Sequence, residues 1–185
     1  MKPLFTVHAG EFLVAHEIES KFPRVNVWIP AKDTGVDLLV SDKNNKTTVS
    51  LQVKFSRDYL VTHVKDAVSQ KELRACGWWT PTRQQIEKSP AADYWIFVLV
   101  GFANRSTDFI IIKPDELLKR FDAIHGKGTN KLQSYLWVTQ KGRCWETRGL
   151  KKSDTSSVVA GTFKHDARDF SAYLNRWEPV KALNE

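Results

Sequence analysis

Cysteine is scarce: the chain holds two, Cys76 and Cys144, and neither stands in a Cys-x-x-Cys pair or near a group of histidines. That spacing excludes a disulfide framework and a sequence-local zinc site, and both cysteines read as packed thiols. Long apolar runs are missing too. The longest, Trp95–Ala103, is too short to span a bilayer as a helix. The start, Met-Lys-Pro-Leu-Phe-Thr-Val-His, lacks the apolar block of a signal peptide. A soluble, cytoplasmic protein with no membrane partner is therefore expected. No internal repeat or low-complexity tract is visible.

What is present suits a globular domain. Apolar residues make up 42% of the 185, and seven Trp and ten Phe argue against disorder. One domain over residues 1–185 is expected. The formal charge of +7 points to a polyanionic partner. Between Lys127 and Lys152 lie seven basic residues (Lys127, Lys131, Lys141, Arg143, Arg148, Lys151, Lys152) and one acid, Glu146, a balance of +6. Trp137 and Trp145 are interleaved with them. Such a strip would follow a phosphate backbone; any one of its residues serves equally well on a solvated hairpin whose tryptophans face the core.

Taken in order, Thr6–Phe22 reads as a helix with Val7, Val14, Ala15, Ile18 and Phe22 in one stripe. Glu11 falls inside that stripe, whereas Glu17 projects away from it. A carboxylate on a buried face is costly without a cation or donors, and Gly10 beside it permits close approach of a neighbour. Glu11 thus serves either as a helix-start carboxylate or as a metal-site acid. Val25–Ile29 makes a strand stopped by Pro30, and Asp33 suits a turn better than a ligand site. Ala67–Arg74 suits a short helix, and Gly-Trp-Trp-Thr-Pro at 77–81 breaks any helix. Trp78 and Trp79 either cap the core or stack on a base. Arg83–Lys88 starts another helix. Tyr94–Phe102 suits a central strand, Phe109–Ile112 another, and Pro114–Phe121 a helix start with Pro and acids in its first turn. Leu132–Thr139 and Arg143–Thr147 read as a hairpin, and Asp166–Trp177 as a closing helix. The pattern is α/β: a mixed central β-sheet flanked by helices.

The chain is organised around residues 35–54. Two β-rich runs, Val36–Ser41 and Thr47–Phe55, flank Asp-Lys-Asn-Asn-Lys, and Asn44-Asn45 suits a two-residue turn. Paired positions then sum to 89, so Val40 faces Val49, Leu38 faces Leu51 and Asp37 faces Gln52. Alternation places Asp37, Gln52 and Lys54 on one face and Leu38, Val40, Val49, Leu51 and Val53 on the other. Taken alone, this is either a solvated ion pair or a catalytic cluster.

A helix glutamate in Gly10-Glu11-Phe12, a strand aspartate in Gly35-Val36-Asp37-Leu38, and Gln52-Val53-Lys54 on the next strand together resemble the PD-(D/E)XK nuclease superfamily. The resemblance covers residues 9–54 and departs from the commoner pattern at Gln52, where many members carry Asp or Glu. It implies a restriction-endonuclease-like core, with an N-terminal helix before the hairpin that carries the site. It also implies a metal-dependent endonuclease acting on DNA, with Glu11, Asp37, Gln52 and Lys54 as catalytic residues. Mg²⁺, or Mn²⁺ in its place, would be held by Asp37, Gln52 and the Val53 backbone carbonyl, with Glu11 acting through water. Gln52 leaves two formal negative charges, favouring one tightly held ion. A homodimer or a separate specificity subunit would have to supply any strong sequence preference. Two other readings stay open: a catalytically inactive nucleic-acid-binding or assembly module on the same fold, and a protein that interacts through a Trp-rich surface.

Overall fold

The computed structural model describes residues 4–31, 35–87 and 92–185, with side chains from residue 8 onward. Helix α1 (Leu4–Lys21) leads into a meander of β1 (Val25–Trp28), β2 (Leu38–Asp42) and β3 (Thr48–Ser56). The crossover from β3 carries α2 (Leu60–His63), α3 (Ala67–Glu72), β4 (Leu73–Trp79) and α4 (Arg83–Glu87). It delivers β5 (Tyr94–Gly101), followed by β6 (Ser106–Ile112), α5 (Pro114–His125), β7 (Ser134–Thr139), β8 (Cys144–Glu146), α6 (Lys152–Ala160) and α7 (Glu178–Lys181). The principal sheet has the order β1-β2-β3-β5-β6. Its β3 and β5 run parallel and its other neighbours antiparallel, so the sheet is mixed. A parallel pair requires a long crossover, and residues 57–93 supply it.

Three apolar clusters set the layers. On one face of the principal sheet, Val14 and Ile18 of α1 pack with Leu38, Val40, Leu51 and Val53 of the hairpin, with Trp177 and Val180 closing the side. Val14 and Ile18 are fully enclosed, each contributing about 1.5–3 kcal/mol of burial. On the other face, Trp95, Phe97 and Leu99 of β5 meet α5 through Leu117 and Phe121. They also meet the inner face of a second sheet, β4-β7-β8, through Ala75, Trp79, Leu136 and Val138. The outer face of that second sheet holds Cys76, Trp137 and Trp145 against Leu60 and Val158. The protein is therefore α/β with a mixed central sheet flanked by helices, as the sequence pattern implies. No helix among the described residues is long and apolar enough to cross a membrane.

Three local expectations need correction. The hairpin turn is not two residues but four: Asp42 N–H bonds to the Thr47 carbonyl, and Asn45 takes the left-handed conformation at φ 55°. The Asp42 carboxylate accepts from the Lys46 and Thr47 N–H groups, which holds the wider loop without changing the register. Residues 77–79 do not merely break a helix; they end strand β4. Gly77 leaves room for the Trp79 indole, which lies where a Cβ would be, 2.3 Å from its ideal position. The closing helix at 166–177 is absent. In its place stand two short 3-10 turns, Asp166–Arg168 and Ser171–Tyr173. Tertiary pairing overrides the helical period here: Asp169 bridges to Trp145 and Leu174 to Ile110, tying the segment across both sheets. Phe170 and Trp177 accordingly enter different cores. Asp33 and Lys88 lie outside the described residues.

Candidate active site

The hairpin register sets the site. Leu38 pairs with Leu51 and Val40 with Val49, the pairing that sums to 89. Just before β2, Asp37 donates its N–H to the Leu51 carbonyl, the residue already paired with Leu38, so the expected Asp37–Gln52 pairing is not formed. The enclosed face carries Leu38, Val40, Leu51 and Val53; Gln52 and Lys54 alternate to the other side of β3, and Asp37, Gln52 and Lys54 are each half-buried. The second sheet packs against β5 and β6 on that side, and the hairpin contributes only Val36 to the core there. Polar residues occupy the strip that the second sheet leaves uncovered.

Asp37 Oδ2 accepts the Val53 N–H at 2.6 Å. Within a strand the N–H and C=O of one residue point the same way, so the Val53 carbonyl also faces the Asp37 side. Lys54 is steered from two directions. Its carbonyl accepts from Trp79 Nε1 at 3.0 Å, and its ammonium lies 5.1 Å from the centre of the Trp95 ring. A cation over an indole face is held there by the ring quadrupole.

Helix α1 brings in Glu11. Gly10 seats the helix on β3: a Cβ at this position would stand 2.8 Å from Phe55 Cβ and 3.0 Å from Val53 Cγ1. One residue on, the Glu11 side chain is 15% exposed, with His8 Nδ1 3.5 Å from its Oε2. That oxygen is buried and makes no hydrogen bond. Burial pushes the Glu11 carboxyl above its ordinary range, against a backbone hydrogen bond that lowers it. Asp37 pushes it further up, while His8 and Lys54 pull it down. The four groups therefore share one electrostatic neighbourhood. His8 escaped the sequence reading, although its i,i+3 spacing from Glu11 on a helix was a usable signal.

The donors Asp37, Gln52, the Val53 carbonyl and Glu11 are all oxygens, the hard set that Mg²⁺ takes. Glu11 Oε2, which makes no hydrogen bond, is an acceptor that would suit a cation or a water. Only two of these groups are carboxylates, and no group of three or more His, Cys, Asp or Glu suited to a metal occurs among the described residues.

The seven basic residues are all exposed. Lys131 and Lys141 lie beyond opposite ends of β7. Arg143 is already engaged: it pairs with Asp169 at 2.5 Å, donates to Ser171 and lies over Trp145. Arg148 donates to Gln133 and lies over Trp78. Lys151 and Lys152 open α6, next to each other. Trp137 and Trp145 face each other across the β7–β8 register and are 7% and 5% exposed, so they belong to the core rather than to a ligand surface. Trp79 also caps the core. No family model, curated protein or solved structure matches the chain.

Proposed function

We propose that the protein is a metal-dependent nuclease that hydrolyses phosphodiester bonds, acting on DNA, with a restriction-endonuclease-like core. The observation that carries this reading is the convergence of Glu11, Asp37 and Lys54 at the open end of one hairpin, with Glu11 shifted by both of the others. A mixed sheet with an N-terminal helix packed on the site hairpin accords with the resemblance. Asp37, Gln52 and the Val53 carbonyl would hold Mg²⁺, with Mn²⁺ as the alternative, and Glu11 would act through a water. When bound, such an ion neutralises phosphate charge and polarises a water.

The chain's own groups supply the rest. Asp37 is fixed by the Val53 N–H, so its carboxylate is preorganised rather than free to rotate. Glu11, half-shielded from solvent, would orient the attacking water by accepting its hydrogen. Lys54, braced by Trp79 and Trp95, would position that water, help remove its proton, and stabilise the charge that develops on the phosphate oxygens. Strong donors aimed at developing charge are worth most where water is partly excluded.

Gln52 and the two-carboxylate donor set favour one further reading, an inactive binding or assembly module on the same fold. Incubation with plasmid, linear, branched and single-stranded DNA in Mg²⁺, Mn²⁺ or EDTA separates the two. Cleavage in Mg²⁺ that stops in EDTA is the expected result. Binding without cleavage in either metal would leave the module reading.

A further inference from the structure

Four aromatic rings gather on the outer face of the second sheet, and different local rules bring them there. Tyr59 and His63 are one helical turn apart across α2, with centroids 4.6 Å apart in an edge-to-face contact. Trp78 and Tyr135 are cross-strand partners in the β4–β7 register, 6.1 Å apart. The two pairs meet, Tyr59 lying 6.1 Å and His63 5.9 Å from Trp78, and His63 6.4 Å from Tyr135. Two arginines complete the group: Arg57 lies 5.5 Å from the Tyr59 ring and Arg148 5.6 Å from the Trp78 ring.

Part of this cluster caps the core, since Tyr59 and Tyr135 pack against Leu60 and Trp137. A cap alone does not require the rest. His63, Arg57 and Arg148 are exposed, and Tyr59 and Trp78 are half-exposed. Asp58, beside Arg57, is engaged by the backbone: its oxygens accept from the Leu60 and Phe102 N–H groups. The surface therefore combines half-exposed aromatic rings with two exposed arginines that form no salt bridge among the described residues, although Glu146 feels the charge of Arg148. Lys65 and Lys152 add positive charge on neighbouring segments.

Its place in the chain ties it to the candidate site. Ser56 lies two residues beyond Lys54 on β3, about 7 Å along the strand. The Ser56 hydroxyl accepts the Trp78 N–H at 3.0 Å, so the strand that carries Lys54 also anchors the cluster. We infer that Tyr59, His63 and Trp78 form a stacking platform for unpaired nucleobases flanking the cleaved bond, with Arg57 and Arg148 holding the adjoining phosphates. Every base has a π-face, so such a platform binds single strands with little sequence preference. The inference rests on the nuclease reading for its ligand and narrows the substrate to nucleic acid with single-stranded character.

Binding is measured in EDTA, which uncouples it from cleavage. Labelled oligothymidine and a duplex of equal length are titrated against wild type, Trp78→Leu and His63→Ala, each variant checked by its melting temperature. His63 is exposed, so His63→Ala keeps the test open if Trp78→Leu does not fold. Loss of a stacked base by truncation should weaken oligothymidine binding about 5-fold or more, with duplex affinity changed less than about twofold. Failure of wild type to bind oligothymidine overturns the platform, as does equal loss for both ligands or no loss in a folded variant. Mg²⁺-dependent cleavage of duplex DNA by the same wild-type sample is scored separately, so the platform can fail while the nuclease reading stands.

Discussion

Gly10→Ala probes whether the seating of α1 on β3 sets the position of Glu11. The added Cβ would stand 2.8 Å from Phe55 Cβ and 3.0 Å from Val53 Cγ1, both part of β3 rather than of a flexible side-chain end. Carbon atoms rest about 3.5–4.0 Å apart, so helix or strand must yield by about 0.7 Å. Overpacking of this kind costs about 1–3 kcal/mol, and Ala in a helix regains about 1 kcal/mol over Gly. The net loss is then about 0–2 kcal/mol, a fall in Tm of no more than about 8 °C for a chain of this size. Glu11 moves with the helix, and a displacement approaching 1 Å can cost as much as about 100-fold in rate. The assay pairs differential scanning calorimetry with single-turnover cleavage in saturating Mg²⁺. A modest Tm change with a rate loss of tenfold or more is expected. Wild-type cleavage in a variant with the expected Tm would refute the idea that this contact positions a catalytic group.

Three other expectations follow from named residues. Gln52→Glu is close in size and adds a carboxylate to β3, the strand whose Leu51 and Val53 engage Asp37, so calorimetric titration should show tighter Mg²⁺ binding; equal or weaker affinity would take residue 52 out of the proposed metal shell. Lys151→Ala with Lys152→Ala should lower the slope of log K for DNA against log salt, because these lysines are exposed where Arg143 is engaged by Asp169; an unchanged slope moves the binding surface elsewhere. Burial pushes the Glu146 carboxyl from 4.5 up to about 7 despite its Arg168 partner, so the native state binds this proton more tightly than the unfolded chain. Its contribution to stability is therefore present below about pH 4.5 and lost as pH rises through about 7, an effect on the order of 3 kcal/mol. Urea midpoints of wild type and Glu146→Gln at pH 5 and pH 8 should diverge in that sense, and parallel changes in both would contradict it.

The parts of the fold that were legible in the sequence are those set by short-range rules. Alternation and the Asn-rich turn gave the hairpin register, because a slip of one residue would have put Leu38 and Val40 in water. Gly10 announced a close approach, and Pro114 with two acids marked the start of α5. The elements that were misread depend on distant partners. Strand β4 contains Gly77 and two tryptophans and looks like a breaker until β7 pairs with it. The 166–177 segment has a helical period, yet its bridges to Trp145 and Ile110 hold it in a different form. Helix α6 went unread because its small, polar residues carry little amphipathic signal. In the candidate site, strand parity places Gln52 and Lys54 on one side of β3, whereas the Asp37–Leu51 bond that departs from the register was not legible in it. The bracing of Lys54 by Trp79 and Trp95 could not be read locally, since both tryptophans arrive through the crossover. Among the basic residues at 127–152, Lys131 and Lys141 fall beyond opposite ends of β7.

The most direct measurement is cleavage of supercoiled plasmid in Mg²⁺ by wild type, Asp37→Ala and Lys54→Ala, with Mg²⁺ binding to each followed by calorimetry. Wild type should bind the ion and cut. Asp37→Ala should lose both, through loss of the metal. Lys54→Ala should still bind Mg²⁺ yet cut far more slowly, as the role proposed for Lys54 in the chemical step requires. Cutting by either variant at the wild-type rate would contradict the assignment of this hairpin as the active site.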